Sequence, residues 1–257
     1  MKYYIITGSS KGIGEYVAKE LLEKDNHLLC LSRSVNNSLI EEGKDKGVVL
    51  VYKSVDLNNV NIIAEIIQSW AGEIDPKSVE GLYLINNAGL IDPIKPVYKC
   101  EPEEIIISIN VNLIAPMILQ VEFLKVCESI QHRSDKKITQ RILNISSGAG
   151  RRAIQGWGVY CTSKAGLDMF SSCADVDIRA GNKDVKIVSL APGVVDTLLQ
   201  ETIRSSNVDD FVLVNQFREY KDNGKLLSPD FVGQQIVKLL HSVDFGKEII
   251  MRITDIK

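Results

Sequence analysis

The 257-residue sequence predicts an α/β protein with a doubly wound, parallel sheet of about seven strands. Short apolar runs alternate with segments of helical periodicity from one end of the chain to the other. The segments between runs are long enough for the crossover helix of a βαβ unit, which favours parallel strands covered on both faces. Because no linker, internal repeat or low-complexity stretch interrupts the alternation, we expect a single domain over residues 1–257.

In the first half of the chain, each predicted strand is an apolar run. Each predicted helix has apolar residues every three or four positions. The predicted strands are residues 3–7, 27–32, 48–55 and 81–86, and the predicted helices are residues 13–24 and 58–70.

In the second half, two predicted helices begin with recognisable N-terminal residues. Pro102 suits the first turn of a helix, and the glutamates that follow it favour the positive end. The Ser-Pro-Asp sequence at 228–230 starts another helix in the same way. The other predicted helices are residues 110–129 and 159–179, and the predicted strands are residues 141–146, 185–190 and 247–253.

Residues 196–227 depart from this alternation. The segment is polar and charged, with Ser205, Ser206 and Asn207 near its middle. Long segments of this composition usually lie on the surface and often carry function. We therefore expect a mobile substrate lid rather than a part of the core.

Composition excludes several functional classes. The 33 acidic and 30 basic residues give a net charge of −3, which provides no footprint for nucleic acid or an anionic membrane. No apolar run approaches the roughly 20 residues that span a bilayer, and the N-terminus does not have the pattern of a signal peptide. The five cysteines form no C-x-x-C pair and the three histidines lie far apart, so we expect no metal site and a reducing, cytoplasmic location.

A glycine-rich turn, Thr-Gly-Ser-Ser-Lys-Gly-Ile-Gly at 7–14, lies between the first predicted strand and the first predicted helix. Glycine lets the backbone approach a ligand, and the helix N-terminus offers free N–H groups to a phosphate. The spacing differs from the common G-x-G-x-x-G pattern, and such glycines can also be purely structural. The candidate cofactor residues here are Gly8, Ser10, Lys11, Gly12, Ile13 and Gly14.

The residues after the second predicted strand indicate which dinucleotide binds. An acid there would bind a ribose 2′-hydroxyl and repel a 2′-phosphate, but this chain has Arg33 and Ser34 instead. With Lys11 nearby, these residues favour NADP(H); the alternative is that Arg33 and Lys11 are solvated surface charges. Asp56 and Leu57 would face the adenine, although Asp56 could instead be a plain helix N-cap.

A tyrosine and a lysine four residues apart form the candidate catalytic pair. Tyr160 and Lys164 fall on one face of a predicted helix, where the lysine charge can stabilise a phenolate. Such a pair alone is commonly a surface pair, but polar and glycine residues also cluster at strand ends. Asn87 and Ser147 each follow a predicted strand, and ligands of open parallel sheets bind at these carboxyl ends. Asn112 is a polar amide in an otherwise apolar helix.

Taken together, these motifs resemble the short-chain dehydrogenase/reductase family over essentially the whole chain. The matching pieces are T-G-S-S-K-G-I-G at 7–14, D-L at 56–57, N-N-A-G at 86–89, N-L at 112–113, I-S-S-G at 145–148, Y-C-T-S-K at 160–164 and P-G-V-V-D-T at 192–197. The resemblance implies a Rossmann fold, an NADPH or NADP+ cofactor and an oxidoreductase acting on a small-molecule carbonyl.

The resemblance also implies a role for each matching residue. Tyr160 would donate a proton to the substrate carbonyl oxygen, Lys164 would lower the tyrosine pKa and hold the nicotinamide ribose, and Ser147 would orient the carbonyl. Asn112 would anchor a water that links Lys164 to solvent. The remaining cofactor residues would be Asn87, Ala88, Gly89, Pro192, Gly193, Val195 and Thr197, the last two at the nicotinamide carboxamide. Family members pair the helices that match 111–129 and 159–179, which implies a homodimer.

Within the family, residues 156–160 and 163–170 look like the sepiapterin reductase-like branch, and most like bacterial benzil reductases that form (S)-benzoin. This similarity implies reduction of one carbonyl of an aromatic vicinal diketone. Trp157 would line the substrate site with Leu198 and Leu199, or would simply pack in the core or at a subunit interface. Arg151 and Arg152 could meet an anionic substrate group or be solvated.

Three other functions remain open at this point. One is a sepiapterin- or pteridine-type reductase, in which an aspartate near the C-terminus, here Asp255, would anchor the pterin. Another is a 3-oxoacyl-thioester reductase, although those chains usually end in a glycine-rich strand and this one does not. The third is a binding module that senses NADP(H); such modules typically lose the tyrosine or the lysine, and both are present here.

Overall fold

The computed structural model describes residues 1–256 and contains a seven-stranded parallel sheet, which confirms the predicted fold class. The final residue of the predicted domain lies outside the described residues. The strands are β1 (Lys2–Thr7), β2 (Asn26–Ser32), β3 (Val49–Ser54), β4 (Gly81–Asn86), β5 (Thr139–Ile145), β6 (Val185–Ala191) and β7 (Ile250–Arg252). Their order is β3-β2-β1-β4-β5-β6-β7, so the winding reverses between β1 and β4 and opens a crevice there.

Helices cover both faces of the sheet. They are α1 (Gly12–Glu20), α2 (Asn37–Asp45), α3 (Ile63–Ala71), α4 (Pro102–Ile109), α5 (Ala115–Arg133), α6 (Gly158–Ala180), α7 (Leu198–Arg204), α8 (Val214–Asp222) and α9 (Pro229–His241). A π-helical turn, Asn110–Ile114, joins α4 to α5. At the start of α9, the Ser228 side chain accepts a hydrogen bond from the Phe231 N–H, as the predicted N-cap requires.

Two apolar clusters form the core, one on each face of the sheet. In β1, Tyr3 and Ile5 point into one cluster while Tyr4 and Ile6 point into the other. This alternation follows from the two-residue period of a strand. Helices α3, α5 and α6 cover the first face, and α1, α2 and α9 cover the second.

The structure corrects the sequence prediction at several elements, including α1, β7 and α2. Helix α1 ends at Glu20 rather than at residue 24. The prediction was too long because Leu21 and Leu22, in the turn that follows, are also buried and so extend the apolar pattern. Strand β7 has three residues rather than seven. Helix α2 has no counterpart in the sequence prediction; the Asn36 side chain caps it by accepting from the Leu39 N–H at 3.0 Å.

Residues 196–227 contain α7 and α8 and contribute buried side chains, contrary to the expectation that they lie outside the core. Ile203, Phe211 and Val214 are buried in a third apolar cluster together with Trp157. The two ends of the segment are joined: Asp196 N–H donates to Leu227 O, and Leu227 N–H donates to the Val194 carbonyl, both at 2.9 Å. The mobility of this segment stays a prediction.

The continuous helical run Pro102–Arg133 is long and apolar enough, by length and composition alone, to cross a membrane. This differs from the expectation that no segment approaches that limit. Its most apolar window has a mean hydropathy of 1.7 and is 39% buried in the protein. Helices buried in the cores of water-soluble proteins reach such values too, and α5 packs Leu119 and Phe123 against the sheet.

Candidate active site

A cavity of about 900 Å³ opens at the carboxyl ends of the strands, where the sheet reverses. Nearly all of the predicted site residues line it. These are Gly8, Ser10, Lys11, Gly12, Ile13, Arg33, Ser34, Asp56, Leu57, Asn87, Ala88, Gly89, Ser147, Trp157, Tyr160, Lys164, Pro192, Gly193, Val195, Thr197, Leu198 and Leu199. Among the predicted catalytic and cofactor residues, Gly14 and Asn112 lie outside the lining.

The glycine-rich turn leaves room for a phosphate at the start of α1. Gly8 has a φ of 68°, and a Cβ there would lie 2.9 Å from the Ala88 Cα. A Cβ on Gly14 would lie 2.4 Å from the Asn87 amide nitrogen, so Gly14 serves close packing rather than ligand contact. No side chain caps the first N–H groups of α1. The residues present therefore fit the pyrophosphate of a dinucleotide.

Hydrogen bonds join the ends of β1 and β4 at the reversal point. The Thr7 hydroxyl accepts from the N–H groups of Asn87 and Ala88, at 2.9 and 3.0 Å. The Asn87 amide donates to the Thr7 and Gly8 carbonyls, at 3.0 and 3.1 Å. This explains why an asparagine follows β4: its backbone N–H and its side-chain NH2 both donate hydrogen bonds that hold the glycine-rich turn in place.

The exposed side chains of Lys11, Arg33 and Ser34 lie along one end of the cavity. The Ser34 hydroxyl donates to the Ser10 hydroxyl at 3.0 Å, which brings the two loops together. Asp56 accepts from the Asn58 N–H at 3.0 Å within a turn, and the next helical turn begins only at Val60. The alternative that Asp56 is a helix N-cap is therefore wrong.

The predicted catalytic side chains meet at the other end of the cavity. Tyr160 and Lys164 are buried on one face of α6, and Ser147 lines the same cavity as both of them. The Lys164 ammonium donates to the Ile145 carbonyl at 2.9 Å and lies 5.8 Å from the centre of the Tyr160 ring. Ser147 also accepts from the Ala149 N–H at 3.1 Å, which fixes its orientation.

Burial shifts the acidity of both groups on α6. It raises the pKa of Tyr160 to about 12, against the opposing effect of the Ser147 hydrogen bond. It lowers the pKa of Lys164 to about 8, against the opposing charge of Asp168. The resemblance implies a tyrosine pKa lowered by Lys164, whereas in this structure burial prevails. Tyr160 consequently keeps its proton at neutral pH, the form that a proton donor needs.

Asn112 uses its amide to hold the chain at Leu90. Its oxygen accepts from the Leu90 N–H at 2.8 Å, and its nitrogen donates to the Leu90 carbonyl at 2.7 Å. Asn112 nevertheless lies close to Lys164, since a Cβ on Gly89 would be 3.2 Å from the Asn112 oxygen and 3.6 Å from the Lys164 nitrogen. The water role of Asn112 stays a prediction.

Trp157 forms the wall beside Tyr160. Its ring stacks on Phe211 at 5.0 Å and meets the Tyr160 ring edge-on at 5.8 Å. The residue is 5% exposed and borders the cavity. Trp157 therefore both packs in the core and lines the cavity, two roles that the sequence offered as alternatives. Leu198 and Leu199 complete this apolar end.

Some residues near the cavity were missed or misassigned. Phe217 of α8 and the stretch 252–254 line the cavity without belonging to any motif. Arg152 borders the cavity and is exposed, while Arg151 instead forms an ion pair with Asp168. Asp255 accepts from the Arg252 N–H at 2.7 Å and does not reach the cavity. The apolar spacing of Phe211, Val214 and Phe217 was the one available signal for α8.

Comparison with known proteins assigns the chain to a family. The model of the family described as short chain dehydrogenase matches residues 2–208. The chain therefore belongs to the short-chain dehydrogenase/reductase family. It is an oxidoreductase that acts on carbonyl or alcohol groups, and its family uses nicotinamide cofactors.

Among individual proteins, the chain is 39% identical to a benzil reductase ((S)-benzoin forming) from Bacillus cereus, over 99% of this chain and all of that one. It is 28% identical to a sepiapterin reductase from Meriones unguiculatus, over 94% and 92% of the two chains. A solved structure of a short-chain dehydrogenase/reductase from Saccharomyces cerevisiae superposes with a TM-score of 0.79 at 23% identity, covering 99% of this chain and 97% of that one. This last likeness supports the fold.

Proposed function

We propose that the protein is an NADPH-dependent reductase of aromatic vicinal diketones, with a reaction of the benzil to (S)-benzoin type. The observation that carries the proposal is the meeting of Ser147, Tyr160 and Lys164 beside an aromatic wall, in a cavity large enough for cofactor and substrate. The full-length similarity to a benzil reductase supports the substrate class.

Distinct parts of the cavity would hold the cofactor. Lys11, Arg33 and Ser34 would contact the 2′-phosphate, since they offer cations and hydroxyls and no acid. Asp56 and Leu57 would border the adenine, and Val195 and Thr197 the nicotinamide carboxamide. When bound, the cofactor supplies the hydride that adds to the carbonyl carbon.

The protein side chains supply the proton and its environment. Ser147 and Tyr160 would each donate a hydrogen bond to the substrate carbonyl oxygen and so favour negative charge on it. As the carbon gains hydride, Tyr160 gives its proton to that oxygen, which leaves an alcohol and a tyrosinate. The Lys164 ammonium stabilises the tyrosinate, which then regains a proton from solvent.

The apolar end of the cavity favours an aromatic diketone over a pterin. Trp157, Phe217, Leu198 and Leu199 can pack against phenyl rings. A pterin needs a hydrogen-bonding anchor for its ring nitrogens, and Asp255 lies outside the lining and is occupied by Arg252. A sepiapterin-type substrate remains the second candidate because of the relatives of that name.

The test is to follow the loss of NADPH absorbance with benzil, sepiapterin and an acetoacetyl thioester in parallel. We expect rapid turnover of benzil, with benzoin enriched in one enantiomer as product. Turnover of sepiapterin alone would favour the second candidate. Bound NADPH without turnover of any of the three would contradict the proposal.

The proposal extends to the assembly and location. Ile106 of α4 and Met169 and Val176 of α6 are 57%, 65% and 64% exposed, a large apolar exposure for neighbouring helices. We propose that a second copy covers them, so that the enzyme is a homodimer of single-domain chains. Its location would be the cytoplasm, in keeping with its free cysteines.

A further inference from the structure

A partly buried ion pair lies one helical turn beyond Lys164. One carboxylate oxygen of Asp168 is 3.2 Å from the Arg151 Nε, and the other accepts from the Ser189 hydroxyl at 2.6 Å. Arg151 also donates through Nη2 to the Met251 carbonyl at 3.0 Å. The pair thus connects α6, β6, β7 and the turn that follows β5. Asp168 lies in the segment 163–170 that resembles the sepiapterin reductase-like branch, but neither it nor Arg151 has a role in the proposed function.

Asp168 shares the helix face of the catalytic side chains. Tyr160, Lys164 and Asp168 follow one another at intervals of four residues on α6, and all three are buried. The negative charge of Asp168 raises the pKa of Lys164 and so opposes the effect of burial. A lysine in so enclosed a position would otherwise lose its charge more readily.

Arg151 lies in the turn that carries Ser147. This turn, Gly148–Arg151, follows Ser147 directly and packs on the backbone of α6. A Cβ on Gly150 would lie 2.8 Å from the Lys164 carbonyl carbon and 2.9 Å from the Ala165 nitrogen, so only glycine permits this approach. The ion pair therefore joins the turn of the serine to the helix of the tyrosine and lysine.

We infer that Asp168 is a positioning residue that holds Lys164 as an ammonium beside Tyr160, and that the hydrogen bond from Ser189 keeps its carboxylate in place when the Arg151 partner is removed. The consequence for catalysis rests on the proposed function, because a charged Lys164 matters only if Tyr160 becomes a tyrosinate. The effect on the charge of Lys164 does not depend on the substrate.

Among the groups around Lys164, Asp168 is the one that can stabilise its charged form. The groups that face the ammonium are Tyr160 and Asp168 from α6, the Ile145 carbonyl from β5, the Asn112 amide from the π-helical turn and, through Asp168, Arg151 from the serine turn. Among these, Asp168 alone carries a negative charge at neutral pH. Its removal leaves neutral dipoles and one cation.

Two substitutions break the same ion pair with different expected effects. Asp168→Asn removes the negative charge, so the pKa of Lys164 should fall further. Arg151→Met leaves that charge and removes a competing cation, so the pKa of Lys164 should stay or rise. A pair that is only structural would give two variants that behave alike.

The decisive measurement is a pH titration of the lysine ε-carbon by NMR in protein labelled with carbon-13 lysine, with the Lys164 signal assigned by its loss in Lys164→Met. We expect the Lys164 midpoint to fall by about one pH unit in Asp168→Asn and not to fall in Arg151→Met. Asp175→Asn is the matched control, since Asp175 pairs with Arg179 at 2.8 Å farther along α6. Equal midpoints in the two variants, or no change in Asp168→Asn, would overturn the inference.

A second readout links the charge to turnover. With benzil as substrate, the alkaline limb of kcat/KM should move to lower pH in Asp168→Asn only. An inactive wild-type enzyme would contradict the proposed function, while the NMR titration would still decide the inference. If Asp168→Asn does not fold because Arg151 is left unpaired, the double variant Arg151→Met/Asp168→Asn removes both charges and should show the same fall for Lys164.

Discussion

At Tyr160, burial and a single hydrogen bond act on the phenol in opposite directions. Burial raises its pKa, and the Ser147 hydroxyl offsets part of that effect. The same enclosure lowers the pKa of Lys164 to about 8, so at neutral pH Tyr160 is a neutral phenol and Lys164 is a cation. The acid–base function that we propose for them thus depends on how deeply α6 is covered, as well as on the spacing of the two residues.

The first prediction concerns Tyr160 itself. Tyr160→Phe removes the proton donor but keeps the ring against Trp157, so reduction of benzil should fall by about 10²-fold or more. NADPH affinity, measured by fluorescence titration, should be nearly unchanged. Tyr98→Phe, at a tyrosine that is 83% exposed, is the control and should keep full activity. Retained turnover in Tyr160→Phe would show that Tyr160 is not the proton donor.

The second prediction concerns cofactor choice. Arg33→Asp places a carboxylate where we expect the 2′-phosphate, so kcat/KM should fall for NADPH and rise for NADH, with the ratio shifting by about 10-fold or more. Lys44→Asp changes the net charge equally on an exposed position of α2 that does not line the cavity. An equal ratio in wild type and Arg33→Asp would mean that the phosphate is recognised by other residues.

At the scale of elements, the buried strands were predictable and some helices were not. Strands β1 and β4 are covered on both faces, so their sequences are continuous apolar runs. Helix α2 buries only Leu39 and Gly43, which leaves almost no apolar periodicity to detect. Helix α8 lies in a polar segment, and only two of its residues, Val214 and Phe217, are buried. Phe217 packs on Trp157, a contact distant in sequence that the prediction did not include.

The third prediction concerns α8. Phe217 borders the cavity and lies 5.4 Å from the Trp157 ring, so Phe217→Leu removes part of the aromatic wall while keeping an apolar side chain. We expect KM for benzil to rise several-fold, with NADPH affinity unchanged. Phe231→Leu, at a phenylalanine of α9 that is 44% exposed, is the matched control. An unchanged KM in Phe217→Leu would show that the Phe217 ring of α8 does not contribute to substrate binding.

At the scale of the whole molecule, the end of the cavity that we propose for the cofactor was more predictable than the end that we propose for the substrate. Gly8, Asn87 and Ser147 follow strands of one parallel sheet, and the topology alone brings such ends together. The contribution of residues 252–254 and the Arg151–Asp168 pair depends on side-chain packing between segments far apart in sequence. The spacing of residues in the sequence therefore does not predict those contacts.

The fourth prediction concerns assembly. Met169 and Val176 lie on the same exposed stripe of α6, two turns apart, so the double variant Met169→Lys/Val176→Lys should place four charges in the proposed interface of two copies. Sedimentation velocity should show a dimer for the wild type and a monomer for the variant. Val243→Lys, at a valine that is 84% exposed outside α6, should remain dimeric. A dimer that survives the double variant would place the interface elsewhere.

The junction of Val195 with Leu227 has a consequence for how this enzyme can diversify. Because hydrogen bonds hold the two ends of residues 196–227 side by side, the segment leaves the rest of the chain and rejoins it at almost the same point. A replacement of different length or sequence could be inserted between those ends without moving β6 or β7. Exchange of this one segment between relatives would then alter which carbonyl compounds are accepted while the nucleotide half of the protein stays as it is.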